Sequence, residues 1–191
     1  MSTASITRTW EILPARGYST AWVDFAPDSL SARGRAVGLL PEPYWVSYEL
    51  ETTGGYVTTR LGVTVETATS TESLELRHDG EGRWTVNGAE RPDLDGALDC
   101  DLGLCPLTNT MPVLRHTLHR KPGPGPELFT MAWVSVPDLT VSLNRQTYTH
   151  LARAEHGARI RYQSGDFQSD IEVDDRGMVL DYPSLATALT R

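Results

Sequence analysis

The stretch YWVSYELETTGGYVTTRLGVTVE, residues 44–66, contains two runs in which apolar and polar side chains alternate. An alternation of period two places one set of side chains on each face of a β-strand. Thr53, Gly54 and Gly55 separate the two runs and predict a hairpin turn. We therefore expect two antiparallel strands that share one apolar face. That face would carry Tyr44, Val46, Tyr48 and Leu50 from the first strand and Val57, Thr59, Leu61, Val63 and Val65 from the second.

Similar runs recur on both sides of this hairpin, each with a turn signal before it. They predict strands at Trp10–Leu13, Tyr18–Phe25, Leu74–Leu76, Met111–Arg120, Leu128–Val136 and Thr140–Leu151, and three more after residue 159. Residues 27–38 are predicted to be a polar linker, and residues 184–189 a helical turn capped by Ser184. Trp45 lies on the polar face of its strand, which indicates that part of this face is covered too.

About ten antiparallel strands cannot remain a flat open sheet, because their twist curls the sheet into a barrel, a sandwich or a roll. The sequence shows no internal repeat, which argues against a propeller. It therefore predicts one all-β domain over residues 1–191. We expect a strongly curved antiparallel sheet with one or two short helices.

The densest group of hydrogen-bonding side chains lies in a loop between Pro106 and Pro112, where Thr108, Asn109 and Thr110 follow one another. Proline fixes the φ angle, so a loop bracketed by prolines is stiff and can hold its side chains in place. Stiff polar loops at strand ends often carry binding residues, and they also form plain structural corners. The residues alone leave both interpretations open.

The segment around this loop resembles a known signature. The residues concerned are Asp99, Cys100, Asp101, Leu102, Pro106, Thr108, Asn109, Thr110, Pro112 and Arg115, and later Tyr148 and the run 177–183. Together they are similar to the pattern of the putative glycolipid-binding family of bacterial proteins, over Trp10 to Pro183. The sequence departs from that pattern at Met111 and Leu114, where Leu and Arg are expected. The resemblance implies a spiral β-roll, related in shape to lipoprotein-carrier folds, with a glycolipid as ligand.

The aspartates Asp99 and Asp101 would share one face of an extended strand. Paired carboxylates can divide acid and base roles between them, which suggests an enzyme acting on a lipid-linked or sugar substrate. The other interpretation is structural, because acidic side chains near turns often accept backbone N–H bonds or pair with arginine. Arg115 is the expected partner, since its planar fork can hold a carboxylate through two hydrogen bonds.

A binding function is our first hypothesis. Rolled β-sheets commonly hold one small ligand in their mouth. The inner face would hold an apolar chain, while Thr108, Asn109 and Arg115 at the mouth would bind a polar head. The predicted inner-face residues are Tyr44, Val46, Tyr48, Leu61, Val63, Met131, Trp133, Leu143, Tyr148 and Tyr162. These side chains could equally fill a solid core, so a β-scaffold that acts through protein contacts is a further alternative.

Other chemistries lack the patterns that they require. Cys100 and Cys105 lie near His116 and His119, but histidines three apart on a predicted strand point to opposite faces, so we expect no metal site. The sequence has no Gly-x-Ser-x-Gly elbow and no phosphate-binding glycine loop before a helix. We therefore predict no cofactor, and we lean against catalysis.

Charge and hydropathy narrow the possible partners. The net charge is −8, and no run of Lys or Arg is longer than two residues, which disfavours nucleic acid and anionic membranes. The first ten residues lack the apolar region of a signal peptide, and no apolar run reaches the roughly 18 residues of a membrane span. We expect a cytoplasmic protein with reduced cysteines. The oligomeric state and the identity of the ligand are left open.

Overall fold

The computed structural model describes residues 4–123 and 125–189. In this part of the chain one open curved sheet of 15 strands is accompanied by a single short helix. The strands are β1 (Ala4–Ile12), β2 (Gly17–Phe25), β3 (Leu30–Gly38), β4 (Tyr44–Thr53), β5 (Val57–Glu66), β6 (Thr71–His78), β7 (Trp84–Val86), β8 (Ala89–Glu90), β9 (Asp99–Leu102), β10 (Glu127–Val134), β11 (Val141–Ala154), β12 (Gly157–Ser164), β13 (Phe167–Val173), β14 (Val179–Tyr182) and β15 (Ala186–Ala188). The helix is α1 (Thr110–Arg115), and 3-10 turns cover Gly54–Tyr56, Pro92–Leu94 and Pro106–Asn109.

The sheet consists of two meanders joined at the two ends of the chain. Its strand order is β8-β7-β6-β5-β4-β3-β2-β1-β15-β14-β13-β12-β11-β10-β9. All neighbours are antiparallel except β9 and β10, which are parallel. The pairing of β1 with β15 connects the meanders, with Ile12 opposite Ala186. The prediction of an all-β fold with a curved sheet is confirmed, whereas the predicted number of strands was too low.

The alternation predicted for residues 44–66 is present in β4 and β5. Tyr44, Val46, Tyr48 and Leu50 are buried, and their neighbours along β4 face outward. In β5 the pattern shifts at one place, because the register changes between Glu51 and Thr52 and brings Thr58 inside instead of Thr59. Trp45 is 61% exposed, so the expectation that this outer face is covered was wrong.

The segment predicted as a polar linker, residues 27–38, contains strand β3 instead. Its inward positions include Gly34 and Gly38, which have no apolar side chain, so the sequence shows no alternation at these positions. They are small because tyrosines of the next strand lie over them: a Cβ on Gly34 would lie 2.1 Å from Cζ of Tyr48, and one on Gly38 would lie 2.3 Å from Cζ of Tyr44. The apolar character of β3 is thus supplied by the strand beside it.

Two other predicted elements were also wrong. Residues 111–120 were expected to form a strand, but α1 and the turns after it occupy this segment. Pro112 is the third residue of α1, where no helical N–H bond is needed, so proline can begin a helix here. Residues 184–189 were expected to form a helical turn, but Ala186–Ala188 pairs with β1 as strand β15.

Strand β9 is buried on both of its faces. On one face Cys100 and Leu102 are almost completely inaccessible, and Cys100 N–H donates a hydrogen bond of 3.1 Å to Oγ1 of Thr58 on β5. On the other face lie Asp99 and Asp101, in register with Met131 and Trp133 of β10. The curvature of the sheet therefore brings its β9 edge against the inner side of β5. The described part of the chain has no helix with the length and hydrophobicity of a membrane span.

We predict that Gly34→Ala destabilises the protein by about 2 kcal/mol or more, because the new methyl group overlaps the buried ring of Tyr48. Urea denaturation would measure the free energy of unfolding. Gly62→Ala is the matched control, since a Cβ there meets only the flexible end of Arg60, at 3.2 Å. Equal effects of the two substitutions would show that Tyr48 does not set the size of residue 34.

Candidate functional site

A pocket of about 110 Å³ lies where the end of β9 meets the Pro106–Asn109 turn and the strands β10, β12 and β14. Its polar wall contains Asp101 and Asn109, and its aromatic wall contains Trp133, Tyr162 and Tyr182. The other lining residues are Leu102, Gly103, Leu104, Cys105 and Leu185. We call this space the aromatic pocket. It combines side chains from five separate segments of the chain, which only the folded sheet brings together.

A chain of five hydrogen-bonded side chains holds the polar wall in place. Asp101 accepts a bond of 2.8 Å from Oγ1 of Thr108 and one of 2.5 Å from Nε2 of Gln146. The Oε1 atom of Gln146 accepts from the hydroxyl of Tyr148 at 3.2 Å, and that hydroxyl accepts from Nδ2 of Asn109 at 2.7 Å. Every member is thereby held by a neighbour. The stiff loop that the sequence singled out is anchored to β9 and β11 at this point.

Burial changes the acidity of several groups in this network. Removal from water raises the pKa of Asp101, although the hydrogen bonds from Thr108 and Gln146 act in the opposite direction. Burial also raises the pKa of Tyr148 well above its ordinary value and that of Tyr162 to about 12. Both phenols are therefore neutral near pH 7 and can donate or accept hydrogen bonds. Asp101 is the titratable carboxyl group of the pocket.

A row of aromatic rings continues from the pocket into the interior. Tyr182, Tyr162, Tyr148 and Phe129 follow one another with ring centroids 5.6, 5.4 and 5.3 Å apart, and the last two contacts are edge-to-face. Such contacts add stability beyond the burial of the rings. Phe167 completes the outer end, with its centroid 6.4 Å from that of Tyr182. Tyr162 and Tyr182 of the aromatic wall are therefore packed against further rings.

The second aspartate, Asp99, has a different environment at the other end of β9. Both of its oxygens accept hydrogen bonds from Arg115, one of them at 2.7 Å, in the predicted two-bond arrangement. The same guanidinium donates to the carbonyl oxygens of Gly55 at 2.7 Å and Tyr56 at 3.0 Å. We call this arrangement the Asp99–Arg115 clamp. It joins β9, α1 and the turn between β4 and β5.

The predicted site residues thus fall into three groups. Thr108, Asn109, Trp133, Tyr148 and Asp101 meet at or directly behind the aromatic pocket. Arg115 and Asp99 form the clamp away from it, so Arg115 is not positioned at the mouth as expected. Tyr48 lies outside the aromatic pocket and lines a different one.

Tyr48 lines a second, apolar pocket with a volume of about 20 Å³, together with Ser19, Val46, Leu104 and Cys105. This volume is enough for about one water molecule. The hydroxyl groups of Tyr48 and Ser19 are buried there, and the Tyr48 hydroxyl interacts with the side chains of Ser19 and Cys105. The inner face of β4 is therefore almost filled in this structure. The segment Leu102–Cys105 forms a wall shared by the two pockets.

The residue patterns did not predict the roles of Tyr162 and Tyr182 as pocket walls, or that of Gln146, which supports Asp101 from behind the pocket. Tyr182 lies in the C-terminal run that carried the family resemblance, and Tyr162 was expected only on the inner face. Gln146 precedes Tyr148 by two residues on a strand, so the two point to the same face. A polar residue at an inward position of β11 was the available signal.

The cysteines and histidines carry no reactive arrangement. No cluster of three or more His, Cys, Asp or Glu residues that could hold a metal occurs among residues 4–123 and 125–189. Both cysteines are free and buried. Burial raises the pKa of Cys105 to about 11 and that of Cys100 further, so both remain protonated thiols. Neither is prepared to act as a nucleophile.

We predict that Arg115→Ala destabilises the protein by roughly 3–5 kcal/mol, because it leaves the buried carboxylate of Asp99 without its partner. Urea denaturation measures the loss. Arg161→Ala is the control, since Arg161 also contacts an aspartate through two bonds but both side chains are more than one-third exposed. Arg161→Ala should lower the free energy of unfolding by about 1 kcal/mol or less. A small effect of Arg115→Ala would mean that the clamp does not support β9.

We also predict a pH dependence that originates at Asp101. Its pKa is raised by burial in the folded state, so the stability that it contributes is complete below its unfolded pKa of about 3.9 and is lost as the pH rises through the folded pKa. Asn at this position does not titrate. The unfolding free energy of the wild type should therefore fall relative to that of Asp101→Asn as the pH rises above about 4, by about 1.4 kcal/mol per unit of difference between the folded and unfolded pKa. A constant difference would contradict the raised pKa.

Residues 7–188 match the family model described as Putative glycolipid-binding. The fold is similar to the crystal structure of a DUF1089 family protein from Pseudomonas aeruginosa, with a TM-score of 0.72. The two sequences are 28% identical, and the match covers 88% of this chain and 91% of that chain. No curated protein matches the sequence. The resemblance noted from the residues around Asp99–Arg115 is confirmed, and the chain belongs to the putative glycolipid-binding family.

Proposed function

We propose that the aromatic pocket binds the polar head of an amphipathic ligand such as a glycolipid. The observation that carries this proposal is the wall of Trp133, Tyr162 and Tyr182 opposite Asp101 and Asn109. Aromatic faces pack against the apolar C–H surface of a sugar ring, while carboxylate and amide groups accept and donate hydrogen bonds to its hydroxyls. The family membership supports the same ligand class.

The size of the pocket limits what it can hold. Pockets that enclose a whole drug-sized ligand have volumes of about 300–1,000 Å³. A pocket of about 110 Å³ is suited to one small polar head. The apolar part of the ligand would extend past Leu104 towards the second pocket beside Tyr48, which shares the Leu102–Cys105 wall. For a chain to enter the inner face, Leu104 must move aside.

The backbone at Leu104 is compatible with such a movement. Its φ angle is +59°, a conformation that is uncommon for a bulky side chain and stores strain. A change to an extended conformation would relieve the strain and move the side chain away from the shared wall. We further propose, from the family membership, a bacterial protein with a spiral β-roll fold. The two free cysteines support a location in the cytoplasm.

A second candidate function rests on Asp101 alone. A carboxyl group whose pKa is raised by burial beside a sugar-sized pocket could act as a general acid. The two-carboxylate mechanism expected from the sequence would need Asp99 as well, but both oxygens of Asp99 are bound by Arg115. Binding is therefore the function that the geometry supports best.

We predict that Trp133→Ala and Asn109→Ala each weaken binding of octyl β-D-glucoside about tenfold, because each removes one wall contact of the head. Isothermal titration below the micelle concentration would measure the dissociation constants. Native mass spectrometry of the freshly purified protein would show whether a natural lipid copurifies. Trp22→Ala is the control, since Trp22 lies on the outer face and is 38% exposed.

The outcomes separate the alternatives. If Asn109→Ala lowers the stability and leaves binding intact, the loop is a structural corner. Release of free glucose by the wild type, lost in Asp101→Asn with an unchanged circular dichroism spectrum, would favour the enzyme. No binding of the glucoside and no copurified lipid would favour a solid scaffold that acts through protein contacts.

A further inference from the structure

The two aspartates of β9 differ in the groups that stabilise their charges. Asp99 is buried in the Asp99–Arg115 clamp, where the guanidinium of Arg115 supplies a full positive charge. Asp101 lies two residues further along the same face, and its donors are the hydroxyl of Thr108 and the side-chain amide of Gln146. These neutral donors satisfy lone pairs of the carboxylate but bring no charge of opposite sign. A carboxylate removed from water is costly when it lacks such a charge.

Asp101 is also the residue of β9 that can meet a ligand. The other three residues of this strand are buried, whereas Asp101 is only partly buried and lines the aromatic pocket. Each of its two oxygens accepts one hydrogen bond, from Thr108 and Gln146 respectively. An ionised carboxylate has roughly four acceptor positions in all. Asp101 therefore retains the capacity to accept further hydrogen bonds from a group in the pocket.

The aromatic wall favours the same kind of group. The faces of aromatic rings carry a negative potential that attracts cations, and Trp133, Tyr162 and Tyr182 line the pocket together. Among the described residues that line it, none is an arginine, a lysine or a histidine. A phosphate, sulfate or carboxylate head would therefore approach Asp101 without a basic partner. The pocket disfavours anionic heads and favours cationic ones.

We propose that the head bound in the aromatic pocket carries an ammonium group, as an amino sugar does, and that this group pairs with Asp101. This inference rests on the proposed function and adds the charge of the ligand to it. The ammonium group would play the part for Asp101 that Arg115 plays for Asp99, and its N–H groups would fill the remaining acceptor positions of the carboxylate. The C–H surface of the sugar ring would pack against the aromatic wall.

The pairing also accounts for the position of an acidic group at this depth. Burial raises the pKa of Asp101, which disfavours its ionised form in the empty pocket. A cation beside the carboxylate acts in the opposite direction and stabilises that form. The cost of burying Asp101 is thus offset when the ligand is bound, and a neutral head offsets less of it.

Two detergents that differ in one group test this proposal. Octyl β-D-glucosaminide carries an ammonium group where octyl β-D-glucoside carries a hydroxyl, and the two share the same tail. Isothermal titration of the wild type near neutral pH, below the micelle concentrations, should give a dissociation constant about tenfold or more lower for the glucosaminide. Octyl β-D-glucuronide, whose head is anionic, should bind more weakly than the glucoside.

Substitution of Asp101 separates charge from shape. Asn has the same size and can still bond to Thr108 and Gln146, but it carries no charge, so in Asp101→Asn the preference for the glucosaminide should fall to about twofold or less. Glu72→Gln is the matched control, because it also removes one negative charge, from an exposed position on β6. This control should keep the full preference. A preference that persists in Asp101→Asn, or that is lost equally in Glu72→Gln, would overturn the pairing with Asp101.

The ammonium group and the sugar site can fail separately, and the wild type alone is enough to distinguish them. Equal binding of the glucosaminide and the glucoside overturns the ammonium group and leaves the proposed sugar site intact. Binding of neither overturns the proposed function itself. Octyltrimethylammonium is a permanent cation without a sugar. If it binds as tightly as the glucosaminide while the glucoside does not bind, the cationic head is supported and the sugar is not.

Discussion

Strand β9 carries two aspartates into the interior of the curved sheet, and the arrangement around it depends on how their charges are satisfied. A buried carboxylate is costly unless it is paired or hydrogen-bonded. Asp99 is neutralised by Arg115, and that requirement places α1 against the turn between β4 and β5, whose carbonyl groups take the remaining donors of the guanidinium. The clamp thereby connects the edge of one meander to the hairpin of the other.

Asp101 is satisfied in a different way, and the difference creates the site. Its hydrogen-bond donors are Thr108 and Gln146, both neutral groups. The polar loop must therefore fold back over β9, which brings Asn109 beside Tyr148. The same two-residue spacing that puts both aspartates on one face thus produces a structural ion pair at one end of β9 and a polar pocket wall at the other.

The sequence predicted those strands whose own residues alternate between apolar and polar. The alternation in β4 and β5 and the turn signals were sufficient for the all-β class, and the pairing of Arg115 with Asp99 followed from residue chemistry. Strand β3 was missed because Tyr44 and Tyr48 of β4 cover its glycines, so its inward face has no apolar side chains at those positions. Helix α1 was missed because residues 106–112 were interpreted as a loop between prolines and residues 111–120 as a strand, although proline is tolerated in a first helical turn.

The site was harder to predict for a related reason. Thr108 and Asn109 were identified from their local density. Tyr162 and Tyr182 line the pocket, and Gln146 supports Asp101 behind it, only because β11, β12 and β14 curve around β9. The same curvature fills the inner face of β4 and leaves about 20 Å³ beside Tyr48. An apolar chain therefore cannot lie in a preformed channel in this state. Under the proposed function, the polar head would enter the aromatic pocket, and Leu104 would have to move aside before an apolar chain could reach the second pocket.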